Sequence, residues 1–180
     1  MNGKFELAMA FTRPEEKGLV NDPDDPGGRT YDGIAEHANP EIWRDGVCTE
    51  EELLGAYRSR WDAIRGDQLP PLVALALFDW YFQSGAHAVR ALQRMVGAVP
   101  DGQLGMKTLG ALFAAPIDAR RDSAMALELI VEHRARFLFD WINALPVKPD
   151  GKGGLRPARI RFSVGFARRL ARLAYRVRSI

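Results

Sequence analysis

Glu16 closes a short apolar-periodic segment, and soon after it come Asp22, Asp24, Asp25 and the run Gly27-Gly28-Arg29-Thr30. Carboxylates, a hydroxyl and paired glycines in one polar stretch admit three readings. Calcium binding needs alternating oxygen ligands closed by a bidentate acid, and here the aspartates are crowded and broken by Pro23 and Pro26. A solvated structural turn needs nothing further. A glycosidase site needs one carboxylic acid to protonate the leaving oxygen and a second carboxylate to activate water or stabilise positive charge. Gly27 and Gly28 suit the last reading, because glycine permits positive φ and close approach of the chain to a sugar. They do not read as a phosphate loop, since no strand or Lys-Ser/Thr follows.

These residues need a scaffold, and the rest of the chain reads as helical. Lys4 to Phe11 is expected to be a helix, with Phe5, Ala8 and Phe11 on one side and Pro14 ending or bending it. Residues 17 to 33 carry two prolines and four glycines, so they read as turns or a short hairpin. Thr49 and Glu52 form a capping box opening a helix to about Arg65. Pro70-Pro71 starts the next helix, apolar nearly all round from Leu72 to Phe82, and therefore central. Helices follow at about 86–96, 105–115, 119–144 and 157–177, with loops at 99–105 and 146–154. The fold class is mainly α, with one polar loop or β-hairpin near the N-terminus. Asp79 is out of place in its apolar helix and needs a partner. It either caps the polar loop or points into a cleft.

The segment Glu16-Lys17-Gly18-Leu19-Val20-Asn21-Asp22-Pro23-Asp24-Asp25-Pro26-Gly27-Gly28-Arg29-Thr30-Tyr31-Asp32-Gly33-Ile34 resembles the signature of glycoside hydrolase family 108. That family's pattern runs roughly E-G-G-Y-V-N-D-P-x-D-x-G-G-x-T-x-x-G-I. Asp79 to Gly85 resembles its D-x-x-x-N-S-G stretch. Leu92-Gln93, Asp101-Gly102 and Thr108-Leu109 look like the predicted peptidoglycan-binding region that follows in the family. Arg161 to Arg169 resembles its terminal F-x-x-G-W-x-x-R. The chain departs from the pattern at Lys17, Leu19, Gln83 and Phe166, and none of these changes removes a carboxylate.

The resemblance implies a lysozyme-like fold and an N-acetylmuramidase, or alternatively a non-catalytic peptidoglycan-binding or secretion-assisting protein that keeps the fold, with a catalytic region at 1–86 and a helical peptidoglycan-binding-like region at 87–180, packed as one unit. It implies Glu16 as the general acid, a role that needs a raised pKa; Phe11, Leu19 and Ile34 are the expected apolar neighbours. The spacing of Glu16, Asp25 and Thr30 resembles that of phage-type lysozymes, one residue short between the last two, and implies that Asp25 and Thr30 hold the attacking water. Asp22 is the alternative second carboxylate. Asp22, Gly27, Gly28, Tyr31 and Gln83 are the candidates for substrate contact. Tyr31, Trp43, Trp61, Trp80 and Tyr81 could stack on sugars or serve the core, and His37 could line the cleft or sit on the surface.

Composition excludes several classes. The chain has 180 residues, 47% hydrophobic and 27% charged, the balance of one globular domain or a catalytic unit with a small appendage. One cysteine, Cys48, rules out an internal disulfide and reads as a passive thiol. Three histidines and that cysteine lack ligand spacing, so no metal or other cofactor is expected. Residues 156–180 hold eight arginines and no acid, leaving 17 basic against 23 acidic residues elsewhere. Phe162, Phe166, Leu170, Leu173 and Val177 share one face of the last helix, and Arg161, Arg168, Arg172 and Arg176 another. That helix either docks by its apolar face or offers its arginines to anionic glycan, lipid phosphate or membrane surface. No nucleic-acid reading motif accompanies the charge. Without a secretory signal, synthesis in the cytoplasm is expected, with action on the cell wall after release or export by a holin-type partner.

Overall fold

The structure is a computed structural model that describes residues 3–16, 18–21, 29–144, 147–149, 155–157 and 160–180. Helix α1 (Lys4–Thr12) runs into a 3-10 turn, Arg13–Glu15, that begins where Pro14 cannot continue an α-helix. Three two-residue strands follow: β1 (Leu19–Val20), β2 (Thr30–Tyr31) and β3 (Ile34–Ala35). They pair antiparallel in chain order, with Val20 opposite Thr30 and Tyr31 opposite Ile34.

The helical body is α2 (Glu50–Ala63), α3 (Pro71–Ser84), α4 (Ala86–Met95), α5 (Met106–Leu112), α6 (Ala119–Glu128), α7 (Ala135–Asn143) and α8 (Ile160–Arg178). The expected capping box forms, with the Thr49 hydroxyl accepting from Glu52 N–H and the Glu52 carboxylate accepting from Thr49 N–H. Helix α3 is the hub. It packs against α1, α4 and α6, and every residue from Leu72 to Trp80 is buried. Phe78 lies at its centre, within 6.2 Å of the rings of Phe5, Tyr57, Trp61 and Phe82. Trp43, Trp61 and Trp80 are buried in this core.

Two polar devices hold the body together. Helix α3 has no cap of its own at Pro70, and the buried Asp122 of α6 supplies one, accepting from Leu72 N–H and Val73 N–H at 2.9 Å each. Gln93 of α4 folds the following loop. Its amide nitrogen donates to Asp101, the Gln103 carbonyl and Thr108, and its oxygen accepts from Gly102 N–H.

Three expectations need correction. The stretch read as one helix from 119 to 144 has a wide π turn, Leu129–Arg134, between α6 and α7. The helix expected over 105–115 is shorter, ending at Leu112. The stretch read as a loop at 146–154 contributes β4 (Val147–Pro149), which pairs antiparallel with β5 (Leu155–Pro157). Its prolines and glycines read as a breaker, and two three-residue strands leave too short an alternation to detect.

Replacing Asp122 by Ala orphans two buried amide donors at the start of α3. Urea unfolding should show a loss of about 2 kcal/mol, with a smaller loss for Asp122→Asn, which keeps one acceptor oxygen. A loss below about 0.5 kcal/mol for Asp122→Ala would show that α3 does not depend on this cap.

Candidate active site

The 3-10 turn after α1 delivers Glu16, whose N–H donates to the Arg13 carbonyl at 3.0 Å. The buried Asp32, at the β2–β3 turn, fixes that turn against the sheet. Its carboxylate accepts from Arg13 Nε at 2.8 Å and from Gly18 N–H at 2.7 Å. Its carbonyl accepts from the Tyr57 hydroxyl at 2.8 Å. Arg13 also forks onto Glu50 at 2.6 and 2.8 Å. The residues either side of Glu16 are thereby tied to the sheet and to α2.

Gly33 completes the fit. Its φ is +79°, a conformation costly for other residues. A Cβ there would stand 2.4 Å from Phe82 Cε1 and 2.8 Å from Glu16 Oε2. The Glu16 carboxyl therefore lies over a bare backbone position, beside the Phe82 ring. Leu19, an expected apolar neighbour, is 68% exposed and buries nothing here, whereas Ile34 belongs to the core.

The Glu16 side chain is 15% exposed, and Oε1 accepts from Arg169 of α8 at 2.5 Å. Arg169 in turn forks onto Asp79 of α3, with Nη2 to Oδ1 at 2.6 Å and Nε to both oxygens at 3.1 Å. Asp79 is fully buried and accepts a further bond from Arg134 Nη1 at 2.7 Å. Arg134, at the end of the π turn, also donates to the side-chain amide oxygen of Gln83. Among the described residues, the partners of Asp79 are Arg134 and Arg169. It is the shared anion of two buried arginines.

The electrostatics follow from this arrangement. Burial pushes the Glu16 carboxyl above the ordinary glutamate pKa; the Arg169 guanidinium opposes the shift, Asp79 adds to it, and burial prevails. Burial alone would raise Asp79 too, but Arg134 and Arg169 together hold it below the ordinary aspartate value. Burial raises the Tyr57 hydroxyl as well, so it stays a neutral donor. Glu16 is shifted towards its protonated form, and Asp79 towards its charged form.

The other expected site residues fall as follows. Thr30 and Tyr31 form β2, half-buried, one strand away from the Glu16 turn. Gln83 lies at the end of α3 and joins the charge network through Arg134. Asp22, Asp24, Asp25, Gly27 and Gly28 lie outside the described residues. His37 is exposed, and Cys48 is buried with its thiol pKa raised by burial. Helix α8 docks by its apolar face, with Leu173 and Val177 buried, while Arg172 donates to Glu15 at 2.7 Å. A cavity of about 370 Å³ lies beyond Gln83 and Arg134, walled by Trp80, Phe137, Trp141 and Phe166. Glu16 does not line it.

Sequence reasoning missed Arg134 and Arg169. The signal for Arg169 was present. It lies on the apolar face of α8, three residues after Phe166 and four before Leu173, and it is the closing arginine of the terminal motif. A positive charge in an apolar stripe and a negative one in an apolar helix each need a partner. Arg134 carried no comparable signal, because nothing in a stretch that reads as one helix marks the π turn that places it.

A family model described as Glycosyl hydrolase 108 matches residues 9–85, the stretch that holds Glu16, Asp79 and Gln83. No curated protein matches the sequence. Among solved structures, that of Brucella abortus SagA is similar, with a TM-score of 0.71 and 29% identity, covering 97% of this chain and 94% of that chain. The chain thus carries the glycosyl hydrolase 108 signature over residues 9–85, on a mainly helical, lysozyme-like fold that resembles SagA over nearly its whole length.

Proposed function

We propose that the protein hydrolyses the β-1,4 bond between N-acetylmuramic acid and N-acetylglucosamine in peptidoglycan, with Glu16 as general acid. The observation that carries this reading is the buried Glu16 carboxyl, held on three sides and biased towards protonation, inside the stretch that matches the glycosyl hydrolase family. The protonated carboxyl gives its proton to the glycosidic oxygen as the bond from that oxygen to the sugar C1 breaks. Water adds to C1 from the opposite face and loses its proton to a second carboxylate. Asp25 is that base in this reading, with Thr30 holding the water, and the anomeric configuration inverts. Asp22, Gly27, Gly28, Tyr31 and Gln83 are the proposed contacts to the glycan. The aromatic walls of the cavity beyond Gln83 supply further ring faces for saccharide, and residues 87–180 are proposed to add affinity for the wall. The raised pKa of Glu16 supports catalysis over wall binding alone, since a general acid needs a carboxyl that keeps its proton until the substrate takes it, and a binding site does not.

Digestion of purified sacculi tests this directly. Wild type should release muropeptides with reducing N-acetylmuramic acid ends, and Glu16→Gln should release them about 10²–10⁴-fold more slowly while binding sacculi equally well. Anhydro ends would identify a lytic transglycosylase instead. No products from a folded, sacculus-binding wild type would leave a wall-binding protein.

The pH profile follows from the sign of the shift. Glu16 acts only while protonated, so activity falls as pH rises through its pKa. Because that pKa is raised, the alkaline limb of kcat/KM should lie above the ordinary glutamate value of about 4.3. A limb at or below that value would contradict the assignment. Gly33→Ala should cost about 1–3 kcal/mol in thermal unfolding and lower kcat more than it raises KM, because the added methyl displaces Phe82 and the acid together.

A further inference from the structure

Helix α8 lies far along the chain from the Glu16 turn, outside the stretch that matches the family model, yet it supplies the partner of the acid. We infer that Arg169 is the positioning residue of the general acid: it occupies Glu16 Oε1, leaving Oε2 over Gly33 to carry the transferable proton, and Asp79 fixes Arg169 in place. The inference rests on the reading of Glu16 as an acid.

The geometry is specific. A protonated carboxyl has one acceptor-only oxygen and one hydroxyl oxygen. Arg169 can only donate, and it donates to Oε1, so the hydroxyl falls to Oε2. Oε2 packs against the bare Gly33 position, where a Cβ would stand 2.8 Å from it, so the glycine is what lets the hydroxyl oxygen sit there. Arg169 cannot rotate away, because Nε and Nη2 are spent on Asp79. Asp79 is in turn held by Arg134 from the opposite side. Arg172, one turn further along α8, grips Glu15 next door, so the helix holds both carboxylates at the end of the 3-10 turn.

Other charged or titratable groups face Glu16 as well. Arg169 comes from α8, Asp79 from α3, Arg134 from the π turn, and Tyr57 and Arg60 from α2. Asp32 precedes Gly33 and is neutralised by Arg13. Of these, Arg169 alone donates a hydrogen bond to Glu16 among the described residues. Removing its charge should therefore raise the Glu16 pKa, since the guanidinium opposes the rise.

The experiment is a carbon-13 NMR titration of the Glu16 side-chain carboxyl in wild type, Arg169→Gln and Arg169→Lys, beside the pH profile of sacculus hydrolysis. Arg169→Gln should move the Glu16 titration up by about 1–3 units, and the alkaline limb of kcat/KM with it. Arg169→Lys keeps the charge, so its titration should stay near wild type. Its kcat should still fall about tenfold or more with KM little changed, because one ammonium cannot fork across Asp79 and Glu16 together. An unmoved titration in Arg169→Gln, or wild-type kcat in Arg169→Lys, overturns the inference. If Arg169→Gln does not fold, the Lys variant decides alone. A titration that moves as expected in a protein without hydrolase activity upholds the Arg169 clamp and sinks the hydrolase reading, so the two failures are distinguishable.

Discussion

The constraint on which the rest of this structure depends is the negative charge of Asp79 in the middle of an apolar helix. A carboxylate there, cut off from water, is tolerated only when paired and hydrogen-bonded. Two arginines meet the demand from different parts of the chain, Arg134 from the π turn and Arg169 from α8. Breaking such a pair by removing one partner typically costs about 3–5 kcal/mol, because the other charge stays buried. Helix packing in the second half of the chain is therefore bound to a point in the first half. With two cations on one anion, the cluster has positive charge left over, and it is turned towards Glu16.

This explains how one carboxyl can be both ion-paired and biased towards protonation. Arg169 is shared. Its guanidinium answers Asp79 with two nitrogens and Glu16 with one, so Glu16 receives only part of its attraction. Burial against Phe82 and Gly33 exceeds that part. Two neighbouring carboxyl groups are thus shifted in opposite directions, Asp79 below and Glu16 above its ordinary pKa, because their environments differ. The sheet supplies the other half of the positioning. Asp32 ties Arg13, Gly18 and Tyr57 together, so the turn bearing Glu16 is fixed at both ends before α8 touches it.

What was legible in the sequence is what local chemistry dictates. The Thr49–Glu52 box, the Pro71 start and the all-round apolar α3 are set by neighbouring residues, and the structure has all three. The end of α1 near a proline and a short hairpin after it were legible for the same reason, though the third strand, β3, was not. Glu16 was found through its motif, and its burial follows from Gly33 and Phe82, not from Leu19. Less accessible were features that need two distant segments at once. Asp79 advertised a missing partner without saying which. Arg169 carried the complementary signal but was overshadowed by the more regular Arg168, Arg172 and Arg176 face. The π turn that carries Arg134 left no trace in the hydrophobic period, which stays helical on both sides of it.

The account turns on which Glu16 oxygen meets the substrate. A crystal structure of Glu16→Gln bound to a peptidoglycan fragment reads this directly, because a glutamine mimics the protonated acid, with one accepting oxygen and one donating nitrogen. The account predicts that the Gln oxygen accepts from Arg169, with Arg169 still forked on Asp79. It predicts that the Gln nitrogen, over Gly33, lies about 3 Å from the oxygen bridging two sugars. A bridging oxygen bound elsewhere, or a Gln side chain swung off Arg169 to reach it, would contradict the account.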